Sequence, residues 1–426
     1  MGILRSFNIG VTGLNAVGQG MGVIGDNIAN AGTNGFKSSR AEFQDVLATS
    51  LKGIDGGDQF GAGVKLAHIK PLMSQGDVAR TDNITDLAVN GDGFFRVDAP
   101  FGPGFTRDGS FHFNKEGELV NSDGFKVIGF KADETGKITT KEGPVKLGST
   151  TIPAQATEKL NVTMNLDSRA EIKEFDINDP DATSNFANSV TVFDNVGTAR
   201  LVTLYYNKTG DNTWTYRALV DGADAEGGVP GKFTQMAQGN VVFNNKGQLQ
   251  EEVVGSNSFN FNKGAAPDQQ IKFNFGESIV EGGEGIGAST QYGSNSAVSR
   301  HTQDGYSAAT LASMSFNDEG ILTAVYDNGE SRDISQIAVA KFENNESLFK
   351  VGRNLFKESR KSGQAAMGKP GESGRGEVLS KSLELSNVDI ANEFVGLMTA
   401  QRNFQANAKT LTTADQMLQD VLNIKR

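Results

Sequence analysis

Two heptad-spaced apolar rows, one at each end of the chain, constrain its fold more than any other feature. At the C-terminal end Ile390, Phe394, Leu397, Gln401, Phe404, Ala408, Leu411, Asp415, Leu418 and Leu422 step alternately by four and three residues. That is the spacing of a helix buried along one seam. Only Gln401 and Asp415 in the row are polar, Gly396 is the single glycine, and there is no proline. Ser386-Asn387-Val388-Asp389 has the form of a capping box. The spacing therefore predicts a helix over 387–424, about 57 Å long. At the N-terminal end Ile3, Phe7, Gly10, Leu14, Val17, Met21, Ile24 and Ile28 repeat the pattern. Gly10, Gly13, Gly18, Gly20, Gly22 and Gly25 fall in the same stretch, and each costs about 1 kcal/mol in a helix interior. A patterned but glycine-weakened helix is expected to fold only when packed against partners.

Between the two ends the punctuation changes to that of short strands. Asn30-Ala31-Gly32-Thr33-Asn34-Gly35 is a dense turn signal that should stop the first helix. Asn90-Gly91-Asp92-Gly93, Asp108-Gly109, Glu116-Gly117 and Asp123-Gly124 then separate runs of alternating polarity as far as Phe130, which reads as a β-meander. A second block is punctuated at Asp194–Gly197, Gly210–Asn212 and Asn245–Gly247, with Trp214 opening one of its strands. Phe259, Phe261, Phe273 and Phe275 alternate as β-core residues do. The 52 glycines against 9 prolines match this use of tight turns.

Composition limits the function. At 426 residues the chain has room for roughly two to four domains. A net charge of −11 and no Lys/Arg cluster argue against nucleic acid and anionic membrane surfaces as partners. The absence of cysteine excludes disulfides, thiolate catalysis and Cys-ligated zinc. No apolar run has the length of a membrane span, and Asn8, Gly10, Thr12 and Gly13 interrupt any signal-peptide core, so a Sec-type signal peptide is not expected and export, if it occurs, uses another route.

Several motifs look chemical in isolation. Gly20, Gly22 and Gly25, with Asp45 downstream, fit the dinucleotide fingerprint, but they sit inside the heptad row rather than between strand and helix. Met1-Gly2 with Ser6 fits a myristoylation pattern whose Ile3 and Phe7 already serve the seam. His68, His112 and His301 are scattered, and no placed nucleophile accompanies them. Glu251-Glu252 and the 281–284 stretch read as solvated charge rather than as a carboxylate pair. No catalytic, cofactor or metal site is expected.

With those readings in place, the ends resemble a known family. Asn27-Ile28-Ala29-Asn30-Ala31-Gly32-Thr33-Asn34-Gly35-Phe36-Lys37 is similar to the N-terminal signature of bacterial flagellar rod and hook proteins. Ser386-Asn387-Val388-Asp389, followed by Gln401-Arg402-Asn403-Phe404, is similar to their C-terminal signature. The stretches at 86–95 and 106–111 resemble the first β-domain of the family. Asp194–Gly197 with Trp214 resembles the middle domain of its hook members, whereas rod members are usually shorter.

The resemblance implies a mixed fold. Coiled-coil-like helical termini (1–30 and 386–426) would pack together, and a connecting segment would cover 31–71. A discontinuous inner β domain (72–147 and 290–385) would carry an inserted outer β domain (148–289). It also implies a non-enzymatic subunit of a flexible hollow tube, a universal joint passing motor torque from rod to filament on the outside of the cell. The implied partners are further copies of itself, the distal rod protein, the hook cap protein, the hook-filament junction protein and the flagellar type III export apparatus, through which the chain would leave without a cleaved signal peptide. Gly136, Gly143 and Gly148, with Gly282, Gly283, Gly285, Gly287 and Gly293, are the expected hinges, because paired glycine-rich stretches flank the middle block. The residues leave two other readings open: a distal rod subunit, and a secreted β-rich glycan-binding protein.

Overall fold

The computed structural model describes residues 2–48, 60–133, 136–280, 282–283 and 287–424. Gly285 lies outside the described residues, as do the side chains of Ile3, Leu418 and Leu422. The architecture is mostly β, with one long helix at each end: α1 (Gly2–Ala29) and α2 (Ile390–Ile424). The chain divides into two compact units. The first comprises Met1–Gly148, Ser313–Ala324 and Ser331–Arg426, and the second Ser149–Ala312 and Val325–Glu330.

In the first unit, α1 is followed by an antiparallel hairpin of β1 (Ser39–Ala48) and β2 (Phe60–Pro71). Beyond it, strand Phe94–Ala99 pairs with Gly102–Thr106 and with Lys126–Ala132. Side chains alternate across a strand, so neighbouring phenylalanines enter different clusters. Phe95 packs with Val97, Val127, Ile337 and Val378. Phe94 packs with Phe105, Phe342 and Phe356, and the Phe105 and Phe342 rings meet edge-on at 4.8 Å. Short strands Glu377–Ser380 and Ser382–Glu384 return to pair with Leu87–Asn90 and Val78–Arg80, bringing the lead-in of α2 alongside the chain that follows β2.

The second unit is built on a five-strand antiparallel meander: β3 (Phe186–Phe193), β4 (Ala199–Gly210), β5 (Thr213–Asp221), β6 (Phe233–Phe243) and β7 (Leu249–Phe259). Its core holds Trp214, Tyr206 and Tyr216 together with Phe259, Phe261, Phe273 and Phe275, the four that alternation marked as core. Strand Ala297–Gln303 runs antiparallel to Lys159–Asn165, so the chain stays in this unit to Ala312. The sequence expectation drew the return at 289/290. The pairing of a strand with one more than 130 residues earlier leaves no local signal.

One turn recurs in both units and explains five of the glycines. An Asn or Asp accepts through Oδ1 from the backbone N–H four residues on, at 2.8–3.0 Å, at Asn114, Asn121, Asp194, Asn244 and Asn317. At each the N–H of the glycine three residues on donates to the backbone carbonyl of the Asn or Asp. Gly117, Gly124, Gly197, Gly247 and Gly320 all sit at φ between 68° and 87°, the left-handed region that costs other residues roughly 1–2 kcal/mol.

Candidate assembly surface

The two helices lie side by side, and glycine makes their approach close. A Cβ added at Gly10 would stand 3.1 Å from Leu411, and one at Gly13 would stand 3.0 Å from Asn407. Farther along, Gly396 faces Ile24 at 3.6 Å from where its Cβ would be. The α1 glycines that looked destabilising thus include the positions where α2 side chains are received. The N-terminal seam is placed accordingly: Leu14, Val17, Met21, Ile24 and Ile28 are partly buried, while Phe7 is exposed.

On α2 the row facing α1 is only partly the one expected. Leu397, Ala408 and Leu411 are partly buried. Ile390, Phe394 and Phe404 are exposed, as are Gln401, Arg402 and Asn403. Gly396, Asn407 and the buried Ala414 fall on the inward side instead. The helix also begins three residues later than predicted. Asp389 is its cap, accepting from the N–H groups of Ala391 and Asn392 at 2.9 and 3.1 Å. Asn387 is held outside the helix because its side chain bridges extended segments. It accepts from Ser38 N–H at 2.8 Å and donates to Leu72 O at 2.9 Å and to Ser74.

The signature residues gather at the root of the helix pair. Asn27, buried near the end of α1, donates to Ser39 O at 2.8 Å and to Glu393 of α2 at 2.9 Å, and accepts from Ser39 N–H at 2.9 Å. Asn30 closes the helix by donating to Asp26 O at 2.9 Å and accepts from Thr33 Oγ1 at 3.2 Å. Ala29 is exposed. Gly35, at φ 66°, passes so close to the Arg107–Asp108 peptide that a Cβ would stand 2.5 Å from Arg107 C. Only glycine fits there. Phe36 is buried beneath the Lys350 ammonium, 4.8 Å from the ring centroid. Val388 is partly buried, and its N–H points to Ser386 Oγ at 3.4 Å.

The node centres on a buried charge cluster. Lys37 bonds Oε1 of Glu384 at 2.5 Å, and Arg107 bonds Oε2 at 3.0 Å. The Glu384 side chain is fully buried, and the cations are 1 % and 4 % exposed. Lys37 also donates to Ser74 O at 2.7 Å, and Arg107 to Val89 O and Gly91 O at 3.2 and 2.7 Å. Burial pushes the Lys37 ammonium below the usual lysine range, with Glu384 opposing the shift. Lys350 reaches the same strand from another side, donating to Lys37 O at 2.7 Å and Ser39 Oγ at 2.8 Å. The sequence reading quoted Lys37 and Arg107 within motifs but missed Glu384, Glu393 and Lys350. A single carboxylate in a short strand carries no spacing signal, and its partners stand 347 and 277 positions away.

Four of the expected hinge glycines have local roles. Gly136 is in a turn at φ 82°, donating to Asp133 O at 3.1 Å. Gly143 pairs with Gly129 across two strands. Gly282 and Gly283 donate to Ile279 O and Ser278 O. Gly282, Gly283, Gly287 and Gly293 fall within the second unit, and only Gly148 stands where the chain passes from one unit to the other. The three histidines are exposed and far apart in the chain. Among the described residues no helix is long and apolar enough to cross a membrane.

This combination of paired terminal helices, a clasped root and β units between them is that of a flagellar axial protein. Three family profiles match in order: the flagellar hook protein FlgE/F/G D1 domain over 88–167, the flagellar basal body protein FlaE D2 domain over 165–306, and the flagellar basal body rod FlgEFG protein C-terminal region over 379–424. The flagellar hook protein FlgE of Escherichia coli strain K12 is 32 % identical over 99 % of this chain and all of its own length. That of Treponema pallidum is 31 % identical, with both chains covered entirely. The crystal structure of Helicobacter pylori flagellar hook protein FlgE2 shares the fold, with a TM-score of 0.53 at 14 % identity over 72 % of this chain and 100 % of that one. The chain belongs to the flagellar hook protein family and is a structural subunit of the hook.

Proposed function

We propose that the chain works by assembly rather than catalysis, forming a flexible hollow helical tube that passes torque from rod to filament. The observation that supports this reading is the set of large apolar side chains left in solvent on the two helices. Phe7 and Ile9 on α1, and Ile390, Phe394, Val395, Met398 and Phe404 on α2, are 36–58 % exposed. Burying one such side chain is worth roughly 1.5–3 kcal/mol, and the contact would repeat at every subunit. In this reading the helix pair extends its coiled-coil-like seam to neighbouring copies, and the second unit is an outer domain inserted into the inner one. The distal rod, hook cap and hook-filament junction proteins meet the two ends of the tube, and the flagellar type III export apparatus delivers the subunit to the cell exterior. The hinge role is kept for Gly148 alone, where a Pro substitution should stiffen the tube without preventing its growth.

The test is truncation. A chain lacking 390–426 should fail to sediment as polymer at any concentration that pellets the full chain, while its second unit keeps the same thermal transition. Polymer formation by the truncated chain would overturn the reading.

A further inference from the structure

A groove of about 420 Å³ runs along the helix pair of the first unit, walled by Val17 and Ile24 of α1, Phe43 of β1, and Gly396, Ala400 and Asn403 of α2. Its walls are mostly small or apolar, with Arg40 of β1 and Glu393 of α2 the two charged residues among them, and the α1 positions from 17 to 24 and the α2 positions from 396 to 403 each extend about 10 Å. Elsewhere on α2, Ile390, Phe394 and Met398 form a ridge at four-residue spacing, 49, 49 and 52 % exposed, with Val395 beside it at 58 %. That ridge rises about 12 Å. The one charged residue on this stretch of α2, Glu393, points away from the ridge and into the groove, where it accepts from Asn27.

Ridge and groove match in length and chemistry, but they lie about 150° apart around α2 at 3.6 residues per turn. A chain cannot fill its own groove with its own ridge. Building on the hook reading above, we propose that the Ile390–Phe394–Met398 ridge of one copy docks in the Val17–Ile24/Gly396–Ala400 groove of the next. Rows of side chains spaced by four pack into the grooves between such rows on a neighbouring helix. The intrachain contact already shows the local chemistry, since Leu411 and Ile24 pack against glycines of the opposite helix. Because the two surfaces differ, the contact is heterologous, and repeating it with a rise along the axis generates an open helical array rather than a closed dimer. That is the symmetry a tubular polymer needs. Leu47 and Ile69 of the β1–β2 hairpin are also exposed but sit on strands, and Phe7, Ile9 and Phe404 of the helices do not form a row at four-residue spacing as Ile390, Phe394 and Met398 do.

The chain has no cysteine, so the contact can be read directly by disulfide trapping. Full-length Met398→Cys and Ala400→Cys chains would be polymerised separately and as a mixture, oxidised, dissociated and resolved without reductant. The expected result is a linked dimer in the mixed polymer that is lost from each single-variant polymer. Mixed polymers without that dimer would overturn the docking and leave the hook reading intact. A dimer formed instead between Leu47→Cys and Ala400→Cys chains would also overturn it, by assigning the groove to the hairpin. Failure of the unsubstituted chain to polymerise would overturn the hook reading and the docking together.

Discussion

The side-chain amide of Asn27 donates to Oε1 of Glu393 at 2.9 Å, joining positions 366 apart in the chain. The same side chain closes a pair of hydrogen bonds on Ser39. One buried residue thus fixes the end of α1, the start of β1 and the first turn of α2. Asn27→Leu would leave the Ser39 N–H and C=O without partners, and unsatisfied buried groups cost about 1–3 kcal/mol each. A stability loss of about 2–4 kcal/mol is expected, read as a lower urea midpoint. Asn27→Asp should also destabilise, by setting a carboxylate against Glu393, and should recover in part when Glu393→Gln is added.

Glu384 carries the second prediction. Its carboxylate is shared by two buried cations, so Glu384→Ala would leave both uncompensated. Breaking a buried pair from one side costs about 3–5 kcal/mol. The expected signature is a first unit that unfolds at lower denaturant while the transition of the second unit stays in place.

The second unit should be sensitive to alkali. Burial, with the neighbouring Asp181 carboxylate adding to it, pushes the Tyr205 phenol up to about 12. Burial likewise pushes Tyr206 and Tyr216 up. Phenols of the unfolded chain ionise near 10, so above that pH the unfolded state has lost protons that the folded state retains. The stability is fully present below pH 10 and is lost as pH rises from 10 through 12. Phenolate absorbance and loss of β-sheet dichroism should therefore rise together. Ionisation of these phenols near pH 10 with the sheet intact would contradict the assignment.

The recurring turn separates two effects of a methyl group. At Gly124 a Cβ meets nothing within 4 Å, and at Gly197 it would stand 2.6 Å from the Ala154 Cβ. Both glycines have φ above 80°. Gly124→Ala should cost only the left-handed strain, roughly 1–2 kcal/mol. Gly197→Ala should cost measurably more in a thermal melt, because overpacking adds its own penalty of about 1–3 kcal/mol.

These contrasts show which parts of the molecule the sequence makes legible. The C-terminal helix, the turn after α1 and the alternating Phe259, Phe261, Phe273 and Phe275 depend on neighbours a few positions away, and local periodicity reports them. The signature residues Asn27, Gly35, Lys37 and Asn387 are legible as a motif, but their purpose is not. Lys37 matters because Glu384 arrives from the far end of the chain, and Gly35 because the Arg107–Asp108 peptide passes over it. The heptad row of α2 faces α1 only in part, through Leu397, Ala408 and Leu411, for a related reason. Heptad spacing marks large apolar residues, and here the inward side of α2 is partly small, at Gly396 and Ala414. Ile390 and Phe394 remain in solvent, as the self-assembly reading requires. The hinge glycines are expected from paired position and composition, and four of the eight, Gly136, Gly143, Gly282 and Gly283, make turn, strand-pairing or backbone hydrogen-bond contacts within one unit.

The central claim is that this chain builds a tube through its terminal helices, and electron microscopy of polymer grown from the purified full-length protein tests it most directly. Curved, hollow tubes are the expected result. A chain that stays monomeric at every concentration, or that yields only straight rods, would contradict the account.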